Sequence, residues 1–125
     1  MSFTREFLHK LPKTDLHIHL DGSVRPGTVI DLAKAENVSI PSHDEPELAK
    51  ILTVQGRVDD LPKYLEKFDI TLSVMQTAES LHRTAYELAE DAAKDNVRYM
   101  EVRYSPILHQ PVSYTHLRAH ETSTY

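Results

Sequence analysis

The eight residues KTDLHIHL at positions 13 to 20 are the strongest constraint on what this chain can fold into. Apolar and polar side chains alternate there with a period of two, which only an extended strand can sort onto opposite faces. Leu16, Ile18 and Leu20 fall on one face, and Asp15, His17 and His19 on the other. Asp21-Gly22-Ser23 then breaks the strand, and Ser23 with Pro26 supplies helix-start chemistry for a helix over roughly residues 26 to 36, with Ile30 and Ala33 on one stripe. Strand, sharp turn and helix therefore follow one another within 25 residues.

The rest of the chain continues in helical period and returns to a strand. Residues 4 to 10 suit a short helix stopped before Pro12. After a polar stretch, in which His43-Asp44 reads as helix-start chemistry, a short periodic piece carries Leu48, Ile51 and Leu52. Asp60 and Pro62 open a further helix with Leu61, Tyr64, Leu65, Phe68 and Leu72 on one face. Thr77 caps a long helix whose apolar set is Leu81, Ala85, Leu88, Ala89 and Ala92, while Glu87, Glu90 and Asp91 read as its solvated face. His9 and His82 read as solvated too. Residues 97 to 104, VRYMEVRY, form a second strand closed by Ser105-Pro106, with Glu101, Arg103 and Ser105 sharing a face. Two strands separated by so many helical residues cannot make a hairpin, so they pair in parallel through a helical crossover. This is an α/β pattern.

Composition limits the chemistry. With no cysteine, the chain has no disulfide framework, no thiolate nucleophile and no Cys-ligated zinc module, so any metal must be held by histidine and carboxylate. Lys and Arg number 14 against 19 Asp and Glu, a net charge of −5, which disfavours nucleic acid and anionic lipid as partners. No apolar run approaches the roughly 20 residues of a membrane span, and the opening MSFTREFLHKLPKTD lacks the apolar centre of a signal peptide. A cytoplasmic protein with a small, uncharged partner is expected.

His17 and His19, at positions i and i+2 of a strand, project two imidazoles to one side at its carboxyl end, with Asp21 at the turn beyond. An H-x-H pair alone is a weak signal, and Asp21 alone has an ordinary role as a turn residue before glycine. The longer string PKTDLHIHLDGSVRP is far more specific. It resembles the first-strand motif of the adenosine deaminase family, zinc hydrolases with a (β/α)8 barrel. LPKYLEKFD at 61 to 69 resembles the family's hydrophobic wall over the substrate, and VRYMEVRYSP at 97 to 106 resembles its second barrel strand.

The resemblance implies that residues 1 to 110 are the N-terminal portion of such a TIM barrel, truncated after two strands. It implies that His17 and His19 are two of the Zn2+ ligands, and that Asp21 accepts a hydrogen bond from the ribose 5′-hydroxyl. Tyr64, Leu65 and Phe68 would border the purine, with Tyr64 standing where phenylalanine is usual. Asp21-Gly22 after H-x-H-L fits a reader of nucleosides, where adenine-deaminating relatives tend to carry Glu. The implied reaction is hydrolytic deamination of adenosine or deoxyadenosine to inosine or deoxyinosine and ammonia. The family's remaining ligands and its acid–base residues lie after the second strand, so no catalytic acid or base is expected here, and this chain is expected to be inactive.

Other readings remain open. One is a different H-x-H hydrolase, such as an adenine deaminase or a polymerase-and-histidinol-phosphatase-like phosphoesterase, although the latter would want S-D-G a few residues on. Another is a non-enzymatic zinc-binding or partner-binding helical module. Residues 111 to 125, PVSYTHLRAHETSTY, read as a non-native linker-like tail, so the four-residue spacing of His116 and His120 carries no metal site. An open parallel pair is also expected to expose an apolar strip along Val97 to Tyr104.

Overall fold

A computed structural model describes residues 2 to 54 and 61 to 109, apart from the Lys63 side chain. Helix α1 (Arg5–Lys10) is capped by Thr4, whose hydroxyl accepts from the Phe7 N–H, and it ends ahead of Pro12. Strand β1 (Lys13–His19) follows, then α2 (Pro26–Glu36), α3 (Glu45–Leu52), α4 (Leu61–Ser73), α5 (Ala78–Lys94) and β2 (Val97–Arg103), with a 3₁₀ turn at Pro106–His109. The two strands pair in parallel, as the α/β pattern requires. Among the described residues, no helix is long and apolar enough to cross a membrane.

The ends of the helices follow local chemistry, with one exception. Asp44 caps α3 by accepting from the Glu47 N–H, and Thr77 and Ser80 form a reciprocal capping box at the start of α5. Pro26 opens α2, but its N-cap is Arg25, which makes no side-chain cap bond. Ser23 does not cap α2; its hydroxyl donates to the His19 carbonyl at 2.6 Å and tightens the turn instead. Residues Asp59 and Asp60, and the tail from 111 to 125, lie outside the described residues.

The core gathers Leu20, Val29, Ile30, Leu32, Ala33, Leu48, Val74, Met75 and Leu88. Ile30 and Ala33 share the buried stripe of α2, whereas α5 departs from its expected stripe: Ser80, Thr84 and Leu88 are buried, Leu81 packs at the margin, and Ala85 and Ala89 face out. Polarity did not decide that face: Thr84 donates to the Ser80 carbonyl at 2.8 Å and so buries no unpaired hydroxyl.

The acidic side of α5 is a clamp, contrary to its reading as a solvated face. Arg25 grips the Asp91 carboxylate with two nitrogens, at 3.0 and 2.6 Å, and reaches Glu90 at 2.9 Å. Glu87 accepts from the Thr28 hydroxyl and from Arg83, which also holds Asp31 at 2.9 Å. Hydrogen bonding to Arg25 holds the Asp91 and Glu90 carboxyls below the usual carboxylate range, with Lys94 assisting at Glu90. These bonds tie the start of α2, and so the turn after β1, to the long helix.

The register of the strands is irregular twice. Pairing runs Lys13 to Val97, Thr14 to Tyr99, Asp15 to Met100, Ile18 to Val102 and His19 to Arg103. Between the first two pairs β2 carries an extra residue, and between Asp15 and Ile18 β1 does. The apolar strip expected along Val97 to Tyr104 is exposed at Tyr99, Val102 and Tyr104; Leu16 on β1 is exposed as well, unlike Leu20, with which the alternation grouped it.

Candidate functional site

The end of β1 brings His17 and His19 together. Their Nε2 atoms lie 3.1 Å apart, with ring centroids at 5.1 Å and planes tilted by 46°. Two ligands of a tetrahedral ion bound at about 2.0–2.1 Å stand roughly 3.3 Å apart, so the pair fits two corners of such a site. Both residues are exposed, and His19 lines a cleft beside the strand. Among the described residues, no group of three or more histidines and carboxylates gathers to complete the set.

Asp21 lies just past the strand and is buried, at 8% exposure. Its Oδ1 stands 4.0 Å from His19 Nδ1, too far for a hydrogen bond, and among the described residues nothing donates to it. A buried carboxylate oxygen with no donor is costly unless something supplies a proton donor. It faces two adjoining clefts.

Helix α4 supplies the wall of both. Phe68 meets the His19 ring edge-on at 6.0 Å and the Tyr64 ring at 5.5 Å. Gly22 permits this approach, because a Cβ there would lie 3.2 Å from Phe68 Cε1. The larger cleft, of about 560 Å³, is lined by His19, Asp21, Tyr64, Leu65, Phe68 and Arg103 among others; the smaller, of about 340 Å³, runs past Asp21, Tyr64 and Phe68 toward Leu52 and Lys67. The face of α4 read as apolar periodicity is thus a cleft wall, with Leu61 and Leu65 well exposed rather than packed in a core.

The structure therefore gathers His19, Asp21, Tyr64, Leu65 and Phe68 around one cleft, with His17 reaching it through its contact with His19. Arg103, which the alternation of β2 placed on the same face as Glu101 and Ser105, lines that cleft and donates to the Leu16 carbonyl at 3.3 Å. No carboxylate pairs with it among the described residues. Asp69, Tyr104 and Leu108 also line the cleft and were not singled out by sequence; adjacency to Phe68 and to the SP turn was the available signal. His109 carries no sequence signal either. It is buried, with Nδ1 3.1 Å from the Met75 carbonyl, and no local pattern marks it.

Residues 12 to 121 match the family model described as adenosine deaminase. Adenosine deaminases from Shewanella woodyi and Shewanella pealeana are 55% and 52% identical over 100 and 104 residues, which is 80% and 83% of this chain and 30% and 31% of the relatives. One from Clostridium botulinum is 51% identical over 100 residues, again 80% of this chain and 30% of the relative. Among solved structures, an Arabidopsis ADAL complexed with GMP superposes with a TM-score of 0.59 at 26% identity, covering 85% of this chain and 32% of its own. The N6-methyl-AMP deaminase from Arabidopsis thaliana gives 0.58 at 25% identity, covering 85% and 31%. The chain thus spans about 30% of the length of the curated relatives it matches.

Proposed function

We propose, from the premise that this chain belongs to the adenosine deaminase family, that residues 1 to 110 are the opening part of a barrel that deaminates adenosine or deoxyadenosine, with residues 111 to 125 a non-native tail. The observation that carries this reading is the convergence of His17 and His19 Nε2 at 3.1 Å on the end of β1, the end of a parallel strand where sites of this architecture are built.

His17 and His19 would hold a zinc ion, which when bound supplies a water acidified to a pKa of about 7. The overall reaction takes up one water and releases ammonia, leaving inosine or deoxyinosine. Asp21 Oδ1, buried with no donor among the described residues, accepts a hydrogen bond from a sugar hydroxyl and orients the nucleoside. Tyr64, Leu65 and Phe68 cover the purine and keep bulk water away, since their rings and side chain form the apolar wall beside Asp21. The structural neighbours include one solved with GMP, but a buried carboxylate repels a 5′-phosphate, which favours a nucleoside over a nucleotide here.

The chain as it stands should not turn over, because two imidazoles leave half of a tetrahedral site to solvent. Purified chain incubated with zinc and adenosine should form no inosine, and zinc should bind with worse than micromolar affinity. Turnover, or sub-micromolar affinity, would overturn the reading as part of a barrel. Reading the source nucleotide sequence past residue 110 extends the test. In a full-length product, His17→Ala should lower inosine formation by more than about 100-fold, since even the partners of metal ligands cost 10–100-fold.

A further inference from the structure

We infer that Asp15 and Arg103 are positioning residues that brace a bulge in β1 and thereby turn His17 and His19 toward one point. The inference rests on the reading of those histidines as metal ligands. From Asp15 to Ile18 strand β1 advances three residues while β2 advances two, from Met100 to Val102, so Leu16 and His17 fall out of register. The backbone bonds say the same independently. Lys13 N–H donates to the Asn96 carbonyl and Leu20 N–H to the Arg103 carbonyl. In a regular strand alternate residues donate to the same neighbour, so a switch from an odd to an even donor requires an extra residue between them.

A bulge leaves backbone groups without ladder partners, and such groups must be paired elsewhere. Here two side chains do it. The Asp15 carboxylate accepts from the His17 N–H at 3.2 Å, and Arg103 Nη2 donates to the Leu16 carbonyl at 3.3 Å. The two bonds hold the peptide on either side of the Leu16–His17 junction. Because the earlier irregularity between Lys13 and Thr14 is of opposite sense, pairing returns to its first offset at Ile18 and Val102 and keeps it at His19 and Arg103. Arg103 therefore sits beside His19 while reaching back to the residue before His17. Bulges commonly re-aim side chains beside active sites, and the aimed pair here is the one whose Nε2 atoms meet at 3.1 Å.

The test compares the 125-residue chain with Asp15→Ala, Asp15→Asn, Arg103→Met, Arg103→Lys and the double variant His17→Ala/His19→Ala. Amide exchange at His17 and competition for zinc ion against a chromophoric chelator are the two readouts. Asp15→Ala should speed His17 exchange by about tenfold or more, and Asp15→Ala and Arg103→Met should each weaken zinc binding by about tenfold, the lower end expected for a partner of a metal ligand. Asp15→Asn keeps the accepting oxygen and should preserve both. Should Asp15→Ala or Arg103→Met unfold the chain, the conservative pair Asp15→Asn and Arg103→Lys decides: His17 protection must survive in the first and zinc binding must persist in the second. Unchanged exchange and affinity in the disruptive pair would overturn the brace, as would Asp15→Asn behaving like Asp15→Ala. If the double histidine variant binds zinc as the parent does, the metal reading fails instead, and His17 exchange alone then decides the brace.

Discussion

The helical block and the strand margin of this molecule are built to different standards. Where α2, α3 and the α4–α5 junction meet the end of β1, Val29, Leu48, Val74 and Met75 are wholly shielded from water. Along the solvent side of β1 and β2, Leu16, Tyr99 and, just past β2, Tyr104 are each more than half exposed. His17 and His19 belong to the second region and Asp21 to the boundary. The contrast teaches that cohesion and chemistry are carried by different residues. The histidines hold little of the fold together, while the turn after them is fixed by Gly22, Phe68 and the Arg25 clamp.

The most forceful way to break that comparison is to truncate one apolar side chain in each region. Leu48→Ala should cost about 2–5 kcal/mol, the range for leucine truncation in a packed core. Leu16→Ala should stay within about 0.5 kcal/mol, as for surface changes. Urea unfolding followed by far-UV circular dichroism measures both, and comparable losses at the two sites would erase the distinction.

A smaller effect sharpens where cohesion begins. Thr77→Ala removes the side chain that accepts from the Ser80 N–H at 3.1 Å and should lower stability by about 1 kcal/mol. The loss should register at the start of α5, read by amide exchange, while the His17 and His19 ring resonances stay in place.

The smallest effect is electrostatic. Arg25 depresses the Asp91 and Glu90 carboxyls in the folded chain, so their contribution is present above the unfolded carboxylate pKa, near 4, and is lost as pH falls through the lower folded values. Arg25→Met should therefore weaken the chain at neutral pH, and its difference from the parent should shrink as pH drops below about 4. Parallel stability curves across that interval would show that the clamp on α5 adds nothing.

Much of this was legible in sequence. Thr4, Asp44 and Thr77 cap the helices they precede because a short oxygen-bearing side chain reaches an unpaired N–H two or three residues on. The H-x-H pair and its strand followed from period two. Less legible was the buried side of α5, where Ser80 and Thr84 displaced Ala85 and Ala89 from the core, since a hydroxyl that bonds to a carbonyl of its own helix can be buried without loss. Glu87, Glu90 and Asp91 read as solvated because their partners Arg25, Thr28 and Arg83 stand on another helix or a turn away.

Sequence alone determined the elements, their order, and the identity of the two imidazoles, because caps, breakers and periodicity act over a few bonds. Tertiary structure alone decided that the imidazoles meet and that Asp21 Oδ1 is buried with no donor among the described residues. It likewise decided that Arg103 reaches the Leu16 carbonyl, across 87 positions. Those outcomes depend on the register between strands far apart in the chain, and a register is set by the sum of many contacts that no local pattern contains.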